Sequence, residues 1–320
     1  MRILNGAEVR ALLTPRAALE VMEQALIALV EGRAQAPLRR ALVVGPDGRR
    51  MGVMPGALGT DGFGVKLLSL FPGNAARGLS SHLGLVALFE PDTGRPVALI
   101  EASTLTALRT AAVSALATRL MSRPDAGDLA LLGSGEQAHS HLAALAEVRT
   151  LRRVRVWSRD RAHAQAFADH HGPQVEAAAS AAAAVEGADI ICTLTASRTP
   201  ILESRWVADG AHINAVGACT PDAAEVDEAL VARSRYVVDL RLSAEAEAGE
   251  YLAARASGAI SADHLLGEIG EVAAGRLVPR RDARDVTLFK SLGNAAEDLA
   301  AARWVLDRAQ AQGIGLTVSL

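Results

Sequence analysis

One short stretch constrains this chain more than any other. The apolar run Leu129–Leu132 ends at Gly133-Ser134-Gly135 and opens into a helical pattern that reaches about Val148. That succession is a strand, a tight turn and a helix. Gly133 permits the turn, and Gly135 lets the backbone approach a pyrophosphate at the positive end of the helix. Ala138, at the third position of the pattern, is small enough for close helix–strand packing. A second strand, Val154–Trp157, follows about 20 residues on, as a dinucleotide-binding unit requires. The unit predicts a dinucleotide site. A tight turn without a ligand is the other reading of the same residues.

Further short apolar strands, Asp189–Leu194, His212–Val216 and Tyr236–Val238, alternate with helical stretches such as Ala162–His170. The alanine run at 177–184 reads as a short helix closed by Gly187. Alternation of this kind predicts a parallel sheet with crossovers. The texture before residue 120 differs. Thr14 and Pro15 open a helix that Gly32 ends. Between residues 40 and 101 short strands (Ala41–Val44, Gly52–Met54, Val65–Phe71, Leu83–Phe89, Val97–Ile100) alternate with glycine-rich turns. A helix from about Thr104 to Ser122 follows, and Arg123-Pro124-Asp125 breaks it. The fold class expected is α/β, a doubly wound Rossmann domain plus an α+β domain. The boundaries expected are 1–120 with a C-terminal helical segment 294–320, and 121–293. The 320 residues suit two domains.

Composition excludes several function classes. A net charge of −3 and 3% aromatic residues speak against a nucleic-acid partner and base-stacking platforms. Cys192 and Cys219 make neither a zinc cluster nor a disulfide framework, which fits a reducing cytoplasm. No run of 18 apolar residues is free of charge or glycine, so no membrane span is expected. The opening Met1-Arg2-Ile3-Leu4-Asn5-Gly6 lacks the apolar core of a secretory leader.

The tip of the second strand bears on which nicotinamide cofactor binds. An acid there would bind the ribose 2′-hydroxyl of NAD. Here Trp157 is followed by Ser158 and Arg159, which suit a 2′-phosphate and predict NADPH, with NADH as the other cofactor the turn admits. Asp160 follows directly and would reverse that preference if the register shifted. In the first domain, Lys66 stands in an apolar strand and must reach solvent at a sheet edge or find an anion. Arg109 is the single charge in the small-residue run Thr106–Val113. With Arg39 and Arg40 at the entry to the sheet, these cations suggest a pocket for a carboxylate. His82, His139 and His141 lack metal-ligand spacing, so no metal is expected. His139 and His141 read as exposed helix residues.

Eight separated motifs then come in order: Pro37-Leu38-Arg39, Gly64-Val65-Lys66-Leu67, Phe71-Pro72-Gly73-Asn74, Ser81-His82-Leu83-Gly84, Leu108-Arg109-Thr110-Ala111-Ala112, Gly133-Ser134-Gly135-Glu136-Gln137-Ala138, Asn214-Ala215-Val216-Gly217-Ala218 and Leu288-Phe289-Lys290-Ser291. In this the chain resembles the ornithine cyclodeaminase/mu-crystallin family over essentially its whole length. The resemblance implies a homodimer, with a substrate and dimerisation domain built from the N-terminal segment and the C-terminal helix, and a Rossmann domain between them. It implies an active site in the cleft between domains. Substrate contacts are expected from Arg39, Lys66, Arg109 and His82, with Lys66 and Arg109 at the chemistry. Cofactor contacts are expected from Gly133, Ser134, Gly135, Glu136, Gln137, Ser158, Arg159, Thr110, Val216 and Gly217.

One departure bears on the reaction. Cyclodeaminases of the family carry an aspartate two residues after Val-Gly, in a Val-Gly-x-Asp-x-Pro-Gly context. Here Cys219 takes its place and Asp222 replaces the final glycine. A thiol supplies no permanent negative charge near neutral pH unless its pKa is strongly lowered. The Thr-Pro-Asp form resembles the reductase branch, which reduces cyclic ketimines such as 1-pyrroline-2-carboxylate and 1-piperideine-2-carboxylate. The first expectation is therefore an NADPH-preferring ketimine reductase. An ornithine cyclodeaminase or amino-acid dehydrogenase of the same family is the second, and a non-catalytic NADPH-binding protein the third.

Overall fold

The computed structural model describes residues 1–45 and 47–319, without the side chains of Ala75 and Ala76. Pro46 and Leu320, which the expected domain ranges include, lie outside the described residues. The chain forms two compact units, Met1–Ala112 with Gly293–Leu320, and Val113–Leu292. The first division falls inside the helix Ala102–Met121.

The first unit holds a seven-stranded sheet. Its order is Leu316–Thr317, Arg2–Leu4, Pro96–Glu101, His82–Phe89, Phe63–Leu70, Arg50–Ala57 and Arg40–Val43. All neighbours are antiparallel except Arg2–Leu4 and Pro96–Glu101. The helix Pro15–Val30 starts as expected, with Thr14 Oγ1 accepting from Ala17 N at 3.3 Å. The helix Ala295–Gln312 packs on Pro15–Val30 and lies across the strands Arg50–Ala57, Phe63–Leu70 and His82–Phe89. Two glycines make that approach close. Gly56 and Gly64 face each other across strands. A Cβ on Gly56 would lie 2.9 Å from Ala295 Cβ, and one on Gly64 2.8 Å from Leu299 Cδ2. The helix can therefore settle onto the sheet only where both side chains are missing.

The second unit is an eight-stranded, all-parallel sheet. Its order is Leu265–Glu268, Arg235–Val238, Thr287–Lys290, His212–Ala215, Ile190–Thr193, Asp128–Leu132, Arg153–Trp157 and Val175–Ala177. Leu129, Ala130, Leu131, Leu132, Ile190 and Ile191 are buried. Strands covered on both faces read as unbroken apolar runs, which is why these were found from sequence. The alanine run is divided otherwise than expected. Val175–Ala177 is an edge strand, and Ser180 Oγ then accepts from Ala183 N at 3.0 Å to start the helix Ala181–Val185. Alanine patterning alone does not show where a strand stops, and the cap does.

Candidate active site

In the second unit the strands Asp128–Leu132, Arg153–Trp157 and Val175–Ala177 progress to one side. Ile190–Thr193 then returns to the other side of Asp128–Leu132. Such a reversal opens a crevice at the carboxyl ends of the two strands. Gly133 lies there with φ at +123°, and a Cβ on it would stand 2.7 Å from the Leu194 carbonyl oxygen. Only glycine fits that turn. Gly135 is the N-cap of the helix Glu136–Ala146. It offers no side-chain cap, and a Cβ there would meet nothing within 4 Å. The helix thus presents its amide end to open space, which suits a diphosphate. Gln137 Oε1, one residue into the helix, is buried without a hydrogen-bond partner. Together, open turn, uncapped helix and orphaned amide oxygen fit the dinucleotide expected. Ser134 is half-buried and Glu136 exposed at the same turn.

Ser158 and Arg159 follow the strand Arg153–Trp157, with Arg159 exposed. Asp160 is committed elsewhere, since its Oδ1 accepts from Ala162 N at 2.9 Å and caps the helix Arg161–His171. His141 corrects the sequence reading. It is fully buried rather than exposed, with Nε2 2.9 Å from Ser114 Oγ and Nδ1 2.8 Å from the Gln137 carbonyl oxygen. Burial lowers its pKa to about 4, so the ring is neutral. It then donates from Nδ1 and accepts at Nε2. His139 is half-buried, not exposed.

Glu225 holds the next two loops and had no sequence signal. Its carboxylate is buried. It accepts from Thr193 Oγ1 at 2.8 Å, from Thr195 N and Oγ1 at 2.7 Å each, and from Gly217 N at 2.6 Å. Burial raises its pKa, against the pull of those donors and of Lys290. Val216 and Gly217 therefore stand in a fixed loop at the end of the strand His212–Ala215. Lys290, also buried, donates from Nζ to the Ala218 carbonyl oxygen at 2.5 Å and pairs with Glu250 Oε1 at 2.9 Å. Burial works against its charge, and Glu250, with Cys219 and Glu225, more than restores it, so its pKa is raised. The half-buried Cys219 donates to the Val216 carbonyl oxygen at 3.4 Å. A signal for Lys290 was available: it and Lys66 are the two lysines among 33 basic residues.

The first unit brings together the cations. Lys66 is 4% exposed in an interior strand, not at a sheet edge. Its Nζ donates to Asp298 Oδ1 at 2.9 Å. Arg109, from the helix Ala102–Met121, donates from Nε to the same oxygen at 3.0 Å and from Nη1 to Glu297 Oε2 at 2.7 Å. Both acids sit in the first turn of Ala295–Gln312, where acids ordinarily do no more than offset the helix dipole. Burial pushes the Lys66 pKa down to about 8; Asp298 pulls it up, and Arg109 and Arg39 push it down again. Arg109 and Lys66 in turn hold the Asp298 carboxyl low against its own burial. His82 opens the strand His82–Phe89, with Nδ1 2.9 Å from Ser81 Oγ. Its pKa is lowered to about 4 by desolvation and then by Lys66, Arg109 and Arg39. Its ring remains open to solvent, so the three charges are the sturdier cause. Thr110 is buried beside Arg109 in the same helix. Lys66 and Arg109 thus face Asp298 and Glu297, and Arg39 stands near enough to act on the Lys66 charge.

Comparison with known proteins follows the same lines. The model of the ornithine cyclodeaminase/mu-crystallin family matches residues 2–313. Ketimine reductase mu-crystallin of Mus musculus is 38% identical over 278 residues, 87% of this chain and 86% of its own. The Delta(1)-pyrroline-2-carboxylate reductase of Bacillus cereus is 32% identical over 324 residues, 98% of each chain. The structure of the Thermococcus litoralis Delta(1)-pyrroline-2-carboxylate reductase, in complex with NADH and L-proline, superposes with a TM-score of 0.96 at 33% identity. It covers 99% of this chain and 100% of its own. Sequence and fold together place the chain in the ornithine cyclodeaminase/mu-crystallin family.

Proposed function

We propose that the chain reduces the C=N bond of a cyclic 2-carboxylate ketimine to a cyclic amino acid of the proline or pipecolate type. The observation that carries this reading is the buried cluster of Lys66 and Arg109, fixed by Asp298 and Glu297 and within the field of Arg39. Fixed cations of this kind suit a substrate carboxylate. The bound nicotinamide supplies the hydride when it is present. The turn at Gly133–Gly135 would hold its diphosphate, and Val216 and Gly217, in the loop fixed by Glu225, would supply further contacts. Arg39, Lys66 and Arg109 bind and orient the carboxylate, which aligns the imine carbon. Lys66, with a pKa of about 8, keeps a proton at Nζ near neutral pH and can return it to the ring nitrogen as the C=N bond is reduced. Neutral His82 adds no further charge. Cys219 and the absence of an acid there disfavour the cyclodeaminase reading.

NADPH is the preferred cofactor in this reading, because Asp160 is spent on a helix cap and leaves Ser158 and Arg159 for the 2′-phosphate. A charge-assisted contact contributes about 1.5–3 kcal/mol, or roughly ten- to hundredfold in affinity. The two free cysteines fit a reducing, cytoplasmic setting, and no described helix is long and apolar enough to cross a membrane. The test is consumption of NADPH and NADH with 1-pyrroline-2-carboxylate, 1-piperideine-2-carboxylate, and ornithine with NAD. Reduction of a cyclic imine with NADPH ahead of NADH is expected. Ammonia release from ornithine without imine reduction would overturn the assignment, and an Arg159→Ala variant that keeps the NADPH preference would overturn the cofactor choice.

A further inference from the structure

Three histidine rings converge on the outside of the second unit. His139 comes from the first turns of Glu136–Ala146, and His170 and His171 end the helix Arg161–His171. The nitrogens His139 Nδ1 and His171 Nε2 face each other at 2.8 Å. His170 stands edge-on to both, with ring centroids 5.3 and 4.9 Å away. One nitrogen from each ring lies within 4.8 Å of the others. Phe167 packs at 4.5 Å from both His139 and His171 and sets the tilt of those rings. The backbone behind them is held too. Gly172 takes φ +87° to end the helix, and Gln174 donates from Nε2 to the His171 carbonyl oxygen.

We propose that His139, His170 and His171 bind one divalent transition-metal ion of the zinc class. Two imidazole nitrogens pointed at each other must share one proton, and a metal ion replaces that proton while using both lone pairs. Zinc–nitrogen bonds of about 2.0–2.1 Å place neighbouring ligands in a tetrahedron about 3.3 Å apart. The closer pair must open by a few tenths of an ångström, and the exposed His170 ring turns in to complete three ligands. The fourth position faces solvent and takes water. An all-imidazole set selects zinc, nickel or copper over magnesium or calcium. The ion would clamp two helices together: the one that begins at Gly135, a single turn before His139, and the one that follows Arg159. No metal was expected from the histidine spacing, because the partners of His139 lie on a different helix, the hydrogen-bonded one 32 residues on.

The test is equilibrium dialysis of the metal-stripped full chain against Zn²⁺, with Co²⁺ as the spectroscopic probe. One Zn²⁺ per chain is expected, together with the visible absorption of tetrahedral Co²⁺ and no uptake of Mg²⁺. Changes in the outer shell of a metal site typically weaken binding about 10–100-fold. Removing a ligand should do at least as much, so His139→Asn and His171→Asn should each bind Zn²⁺ about tenfold or more weakly. His163→Asn, on the same helix but outside the cluster, should bind like wild type. His170→Gln, at an exposed ring, keeps the fold and should also lose affinity. No saturable Zn²⁺ binding, or binding that survives His139→Asn and His170→Gln unchanged, would leave the cluster a packed aromatic patch and overturn the proposal.

Discussion

Arg109, proposed to bind the substrate carboxylate, is also a structural residue. Its guanidinium spans Glu297 and Asp298, both fully buried. Truncation removes the guanidinium that both buried acids pair with, and breaking a buried pair destabilises by about 3–5 kcal/mol. Arg109→Ala should therefore lower the unfolding free energy by about that amount in a urea titration, besides abolishing imine reduction. A loss under about 1 kcal/mol would mean that the network is not as buried as described. Arg109→Lys should recover only part, because an ammonium cannot span two carboxylates as the planar fork does. Lys66 sets a pH dependence. Its pKa of about 8 lies below the 10.5 of a free lysine. The cluster loses a positive charge as pH rises through about 8, so KM for the imino acid should climb there while the Kd of NADPH stays level. The stability effect has the opposite sign. Between about 8 and 10.5 the unfolded chain holds the proton longer, so this group makes the fold relatively more stable as pH rises. A flat KM from pH 7 to 9 would remove Lys66 from carboxylate binding.

At the scale of elements, the glycine turn and the strands buried on both faces could be read from sequence because their signals are local. The strand Thr287–Lys290 could not, since its fourth residue is a lysine that looks solvent-bound until Glu250 is placed beside it. Likewise Lys66, Arg109 and Arg39 stood out as cations in apolar or small-residue surroundings. The acids that pair with Lys66 and Arg109 lie 232 and 188 residues away in sequence and resemble any acidic first turn. What brings them together is the glycine pair at 56 and 64, which admits a helix whose own pattern says nothing about where it packs. Glu225 was invisible for the same reason: its four donors come from the end of the strand Ile190–Thr193 and from two loops that only the sheet brings together. Those loops give it a testable role. Glu225→Gln offers one acceptor oxygen and an amide where four donors now converge. Losing charge-assisted hydrogen bonds at about 1.5–3 kcal/mol should raise the Kd of NADPH roughly ten- to hundredfold. Fluorescence titration of the cofactor reads this directly, and an unchanged Kd would show that the loop holds its shape without the carboxylate.

For the whole molecule, the two edges of the first sheet are unlike. One ends in the two-residue strand Leu316–Thr317, too short to template another chain. The other is Arg40–Val43, exposed along its whole length, with Leu42 63% and Val43 67% exposed and Met51, opposite Leu42, also at the surface. An edge that apolar, with backbone groups facing outward, calls for a partner strand. If the chain forms the homodimer that its family resemblance implies, this edge is the one suited to pair with a second copy, in the self-complementary way a two-fold dimer requires. Arg39 immediately precedes the strand, so assembly at this edge would bear on the proposed carboxylate binding. Light scattering at micromolar concentration should give a dimer for the wild type and a monomer for Leu42→Asp/Val43→Asp. The monomer should keep its NADPH affinity, because the glycine turn belongs to the other unit. Its KM for the imino acid should rise, because the strand that positions Arg39 has lost its outer neighbour. A double variant that stays dimeric moves the interface elsewhere; a monomer with unchanged KM uncouples Arg39 from assembly.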